Sequence, residues 1–199
     1  MYGILLYDGV EPIDVGATFG VLSMASRIAP KLEFAGIARE SGNILCAGGL
    51  TVTARYGFAD APEFSDLIVT GGPGWQAASR DRDTLDYIGS SSARVSAICT
   101  GAMILAAAGR LAGRKVTTKH QVFDGEISPL ATLAENNETR SAAIVDDDGI
   151  VTSGGVTLGI DAMFYCLARS HGEHVARETA RVMEYSRALA ANRSALGYV

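Results

Sequence analysis

Histidine is scarce in this chain. His120, His171 and His174 are the only three in 199 residues, and none stands beside a cysteine, so the usual imidazole partner of a catalytic thiol is not adjacent to any candidate. Cysteine is equally sparse: Cys46, Cys99 and Cys166 are odd in number, widely spaced and without a C-x-x-C pair. That pattern suits reduced thiols and supplies neither a disulfide framework nor a zinc site, so no metal is expected. No run approaches the roughly 20 uncharged apolar residues of a membrane span. The N-terminus, MYGILLYDGV, carries Asp8 where a signal peptide would have a basic start and a longer apolar region. A cytoplasmic protein with no membrane partner is the expectation. Charge of one sign is nowhere gathered. The 17 basic and 22 acidic residues scatter to a net charge of −5, which leaves no electrostatic footprint for nucleic acid and favours a small-molecule or protein partner. Phosphate-binding loops are missing as well: there is no Gly-Lys-Ser/Thr, and neither GGPGWQ nor GGVTLG completes G-x-G-x-x-G.

What the chain does have is apolar content, 48%, enough for one sizeable core, so residues 1–199 are expected to form a single domain. Short apolar runs at Tyr2–Tyr7, Phe34–Ala38, Asp66–Thr70, Val95–Ile98 and Lys115–Thr118 read as strands. Helical spacing occupies Pro12–Ala29, Asp81–Gly89, Gly101–Ala108, Gln121–Leu133, Leu158–Ser170 and His174–Ala190. NILCAGGLTV reads as a hairpin, and Asp146-Asp147-Asp148-Gly149 as a turn between Arg140–Val145 and Ile150–Thr152. Strands apolar on both faces and alternating with helices predict an α/β fold, a three-layer sandwich around a mostly parallel, doubly wound sheet. Ligands in such sheets bind at the carboxyl ends of the strands. Four loops should therefore meet along one edge: Asp8–Asp14, Gly71–Trp75, Cys99–Gly101 and Ser153–Thr157.

At that edge RVSAICTGAMILAAAG passes from strand to helix through Cys99, Thr100 and Gly101, the arrangement of a nucleophile elbow. A cysteine just before a helix N-terminus feels partial positive charge, which lowers its pKa and raises its thiolate fraction. The alternative is that Cys99 is a small buried hydrophobe, the reading preferred for Cys46 and Cys166. Gly71 and Gly72 end a strand where backbone N–H groups can approach a ligand, and the Gly72 and Thr100 N–H groups are candidate stabilisers of developing negative charge; a plain glycine turn is the alternative. Glu11 and Asp14 are the carboxyls near the first strand's end. Asp14, between Ile13 and Val15, should have a raised pKa through desolvation and could serve as acid and base near pH 7, or simply cap a helix. His120 could point into the site, whereas His171 reads as a solvated helix end. Gly154-Gly155 should form a wall of the site rather than a catalyst.

The stretches GILLYDGVEPIDV, LIVTGGPG, AICTGAMILAAAGRLAGRKVTT and IVTSGGVTLGIDA, in that order, resemble the DJ-1/PfpI superfamily along nearly the whole chain. Cys-Thr-Gly in place of Cys-His-Gly, with Asp in the first segment, resembles the isonitrile hydratase-like branch and the related domains of AraC-type regulators. No helix-turn-helix segment follows, so a stand-alone protein is expected. Two departures from the branch stand out: Asp14 is followed by Val15-Gly16 rather than Gly-Pro, and Thr117-Thr118-Lys119-His120 replaces Thr-Thr-His-Trp, which substitutes a cation. The resemblance implies a homodimer without a cofactor, with Cys99 as nucleophile, Asp14 as acid/base and Thr100 as a hydrogen-bonding helper. Gly71, Gly72, Gly101, His120 and Gly155 are then expected around the substrate. The implied reaction is hydration of an isonitrile to an N-substituted formamide. Glyoxalase or deglycase chemistry on small α-oxoaldehydes and a non-enzymatic cysteine redox sensor are the alternatives; a Cys–His peptidase is disfavoured by Thr100.

Overall fold

The computed structural model describes residues 1–199. From the N-terminus, β1 (Tyr2–Leu5), α1 (Pro12–Ser26) and β2 (Phe34–Ala38) are followed by a hairpin of β3 (Gly42–Leu45) and β4 (Thr51–Ala54) and by the short β5 (Tyr56–Gly57). Then come β6 (Asp66–Val69), α2 (Trp75–Ala78), α3 (Arg82–Ser90), β7 (Arg94–Ile98), α4 (Gly101–Ala107) and β8 (Lys115–Val116). The remainder is α5 (Pro129–Leu133), β9 (Glu138–Thr139), β10 (Ile144–Asp147), β11 (Ile150–Ser153), α6 (Leu158–His171), α7 (Glu173–Val182) and α8 (Ser186–Leu196).

Seven strands form one sheet in the order β10-β11-β7-β6-β1-β2-β5. All neighbours are parallel except β10 and β11. Side chains alternate between two cores, as pleated geometry requires. Leu67, Val69, Val95 and Ala97 point to the layer containing α3 and α4, while Ile4, Ile68 and Ile98 point to the layer of α1, α6 and α7. This is the three-layer α/β sandwich expected from doubly apolar strands.

The chain leaves β1 toward β2 on one side and returns to β6 on the other, so strand order reverses between β1 and β6. Connections after β1, β6 and β7 therefore converge where ligands bind in open α/β sheets. Glycine permits the convergence. A Cβ on Gly101 would lie 2.1 Å from the Val69 carbonyl oxygen, so α4 can start against β6 only with no side chain there.

Three expectations need correction. Only Lys115–Val116 of the run Lys115–Thr118 is strand, paired with β9 rather than the main sheet. Of Gln121–Leu133, only Pro129–Leu133 is helical. Phe123 and Ile127 are 77% and 82% exposed, so the apolar spacing there has no core to face. The helix expected over His174–Ala190 breaks into α7 and α8 at Met183–Tyr185, where Glu184 adopts φ 55°.

Replacing Gly101 by Ala drives a Cβ into backbone, and overpacking of this kind costs about 3 kcal/mol or more. Urea unfolding of Gly101→Ala should show that loss, whereas Gly109→Ala, whose position is open but has φ 75°, should lose about 1 kcal/mol.

Candidate active site

Cys99 sits on a strained corner. Its φ is 54°, a region that non-glycine residues rarely occupy and that is found where a site demands it. The corner is held from both sides: the Thr118 hydroxyl donates to the Cys99 carbonyl at 2.7 Å, and the Ala102 N–H reaches the same oxygen at 3.4 Å. Gly155 lies against the sulfur, since a Cβ there would stand 2.5 Å from Sγ.

Asp14 belongs to the first turn of α1, but it does not cap the helix. Glu11 occupies the cap position, and no side chain there bonds to the helix. Asp14 is instead fully buried and points across the loops, where Oδ2 accepts the Gly71 N–H at 2.9 Å. Oδ1 has no partner that meets hydrogen-bond geometry. The Cys99 thiol faces the carboxylate and favours its charged form. Burial pushes the Asp14 carboxyl up to about 7, with Glu11 reinforcing the rise; Gly71, the Cys99 thiol and Lys119 oppose it. The expectation of a desolvated carboxyl that exchanges its proton near neutrality agrees with this geometry.

The expected activation of Cys99 by its helix terminus is overturned. Burial pushes the thiol up to about 12, and the Asp14 carboxylate adds to the rise; the Thr100 N–H and hydroxyl and Lys119 oppose it only in part. Removing a sulfur anion from water and setting it beside a carboxylate outweighs the partial charge of a helix end. Thiol, not thiolate, is the resting form.

The expected anion donors are also largely occupied. Gly71 N–H is held by Asp14, and Gly72 N–H donates to Thr100 Oγ1 at 2.9 Å. Thr100 therefore helps by fixing the glycine loop, and its own N–H acts on the Cys99 sulfur. A Cβ on Gly71 would fall 2.8 Å from both Asp14 Oδ2 and Thr100 Oγ1, so this glycine keeps the space between acid and elbow open. Gly101 serves packing against Val69. His120 is half-buried and bonded through Nε2 to Thr117 Oγ1 at 2.8 Å, not to the thiol; burial lowers its pKa.

Two participants escaped the sequence reading. In sequence Thr118 reads only as part of a strand, because the Cys99 carbonyl it bonds lies 19 residues away. Tyr7 donates its hydroxyl to the Thr70 carbonyl at 2.9 Å, and its pKa is raised by burial and by Asp14 and Cys99. A cavity of about 280 Å³ is lined by Lys119, Gln121, Val122, Phe123, Gly155 and Val156, and one of these, Gly155, packs against the Cys99 sulfur. A larger one, about 790 Å³ between α6, α7 and α8, touches neither Cys99 nor Asp14. No three His, Cys, Asp or Glu side chains converge on a point that could hold a metal ion, and no helix is long and apolar enough to cross a membrane.

A parallel α/β sheet that presents a cysteine on a strained strand-to-helix turn, faced by a buried carboxyl, defines a class of thiol-bearing α/β proteins. Within it, this chain belongs to the DJ-1/PfpI family, whose description matches residues 3–169. It is similar to the isonitrile hydratase of Pseudomonas putida, 29% identical over 162 residues that cover 80% of this chain and 67% of that one. It is also similar to the HTH-type transcriptional regulator GbdR of Pseudomonas aeruginosa, 25% identical over 189 residues, 93% of this chain and 50% of the regulator. Among solved structures, a ThiJ/PfpI family protein from Pseudomonas syringae superposes with a TM-score of 0.80 at 24% identity, over 93% of this chain and 74% of that one.

Asp14 sets a pH dependence of stability. Unfolded, its carboxyl titrates near 3.8; folded, near 7. The native state thus binds the extra proton between these values, and stability is full below the first and falls as pH rises through the second. At about 1.4 kcal/mol per tenfold in proton affinity, the loss by pH 8 is on the order of 4 kcal/mol, roughly 10 °C in melting temperature. Asp14→Asn should therefore melt higher than wild type at pH 8 and nearly equal to it at pH 4, measured by differential scanning calorimetry.

Proposed function

We propose that this chain is an isonitrile hydratase-like hydro-lyase in which Cys99 and Asp14 act as one proton-sharing unit. The observation that carries the reading is a carboxyl near pKa 7 buried against a protonated thiol, with no imidazole bonded to the sulfur. Above neutrality the pair holds one proton, on sulfur, and one negative charge, on Asp14. As the sulfur attacks the terminal carbon of R–N≡C, Asp14 takes the thiol proton and delivers it to the same carbon, giving the thioimidate R–N=CH–S. Water then adds to that carbon, with Asp14 accepting a proton from the water and returning one to nitrogen. The C–S bond breaks, the proton of the new hydroxyl returns to sulfur, and R–NH–CHO leaves. The sum is one water added. General acid–base steps of this kind are most effective when the group titrates near working pH.

The occupied Gly71 and Gly72 N–H groups favour this chemistry over amide hydrolysis. Adding a thiol to an isonitrile requires protonation of carbon and forms no oxyanion, whereas a tetrahedral acyl intermediate calls for free donors. A peroxide sensor is disfavoured on the same geometry, because sensor cysteines are exposed and low in pKa; Cys99 is neither. Chemistry on α-oxoaldehydes uses the same thiol and acid. The similarity to a transcriptional regulator supports a further reading, in which the site binds a small ligand without turning it over. We take residues 1–199 as one domain that needs no cofactor and acts in the cytoplasm as a homodimer. Exposed Ile13, Leu45 and Leu50 supply apolar surface for the second copy, and light scattering at micromolar concentration should give twice the chain mass.

Incubation with cyclohexyl isocyanide should yield N-cyclohexylformamide, and methylglyoxal should remain largely unconsumed. Cys99→Ala should abolish formamide production, and Asp14→Asn should lower kcat by about 100-fold or more. Absence of product from each of several isonitriles would overturn the reading. Saturable thermal stabilisation by an isonitrile without product would favour the ligand-sensing alternative.

A further inference from the structure

Lys119 lies beside the nucleophile's corner, next to Gly155. It lines the 280 Å³ cavity together with Gln121, Val122, Phe123, Gly155 and Val156, and no carboxylate shares that lining. Gly155, a wall of that cavity, packs against both residues: a Cβ there would lie 2.5 Å from Cys99 Sγ and 3.3 Å from Lys119 Cβ, which places the base of the Lys119 side chain next to the sulfur. The ammonium itself lies 5.7 Å from the centre of the Phe123 ring. It forms no ion pair within 4.0 Å of any Asp or Glu. A cation held over an aromatic ring, uncompensated by an acid, in a partly enclosed apolar recess, is an attractive counter-charge for a ligand. Its influence reaches the reacting pair as well, since it opposes the rise in pKa of both Asp14 and Cys99.

We propose that Lys119 is a specificity-determining residue that selects small electrophiles carrying a carboxylate or similar anion, with the anion at the ammonium and the electrophilic carbon at Cys99. The proposal rests on the reading of Cys99 as the attacking group. Val122, Phe123 and Val156 would enclose a short apolar spacer, and the Gln121 amide would offer a hydrogen bond to the anion. The volume limits the ligand's size, because pockets for drug-sized molecules run from about 300 to 1,000 Å³. The substrate class is therefore a compact, singly anionic molecule such as a short isocyano carboxylate.

Iodoacetate and iodoacetamide test this without assuming the reaction. They deliver the same carbon to the same sulfur, each losing iodide as the S–C bond forms, and they differ in charge. The quantity read is the ratio of their rate constants at Cys99, followed by peptide mass spectrometry. Any change in thiolate fraction cancels in that ratio. It should fall about tenfold from wild type to Lys119→Met, further in Lys119→Glu, and toward the Lys119→Met value in wild type at 1 M salt. Lys119→Arg should keep the wild-type ratio. An equal ratio in wild type and Lys119→Met, with both variants folded by circular dichroism, would overturn the proposal. A second comparison, kcat/KM for isocyanoacetate against its methyl ester, separates the two claims. If neither isonitrile is turned over but the alkylation ratio responds, the reaction assignment fails while the anion preference stands. If both are turned over and neither ratio responds to Lys119→Met, the anion preference fails and the reaction stands.

Discussion

Asp14 and Cys99 share a corner that cannot hold two negative charges. Both are buried, burial raises the pKa of each, and the Asp14 carboxylate raises that of Cys99 further, while the protonated thiol favours the carboxylate. The remaining architecture serves that constraint. Reversal of strand order between β1 and β6 brings three connections together, and the glycines at 71, 101 and 155 remove the side chains that would keep them apart. A strained Cys99 backbone, latched by Thr118, aims the sulfur into the gap.

Two backbone donors in this corner hold side chains in place. Gly71 holds the acid and Gly72 holds Thr100, so of the two expected donors the Gly72 N–H is engaged, while the Thr100 N–H faces the Cys99 sulfur. The proposed reaction needs a proton to move between sulfur and carboxyl, whereas acyl transfer needs a stabilised oxyanion, although the two kinds of site share an elbow and a sheet. Family membership places the chain among proteins with this frame.

Much of this was legible in the sequence. Doubly apolar runs such as DLIV and VSAI announced buried parallel strands, and their punctuation by Gly-Gly, Cys-Thr-Gly and Ser-Gly-Gly located the edge where they open. Asp14 between two aliphatic residues correctly signalled desolvation. The direction of the Cys99 shift was not legible. A helix terminus lowers a thiol pKa and burial beside a carboxylate raises it, and only the three-dimensional arrangement shows that the second dominates. The engagement of Gly71 and Gly72 was hidden for a similar reason, because their partners lie 57 and 28 residues away. Residues 121–128 misled in a different way: apolar residues at helical spacing imply a helix only if a core receives them, and Phe123 and Ile127 face outward. The break at Glu184 carries no glycine or proline and left no mark in the sequence.

The most direct measurement is the thiolate absorbance of the protein near 240 nm as a function of pH, taken as the difference between wild type and Cys99→Ser so that Cys46 and Cys166 cancel. Proton sharing with Asp14 predicts no Cys99 thiolate through pH 9, with ionisation only at strongly alkaline pH, and an earlier onset in Asp14→Asn once the neighbouring charge is gone. A wild-type midpoint below pH 8 would contradict the account, because the corner would then hold a thiolate and a carboxylate together.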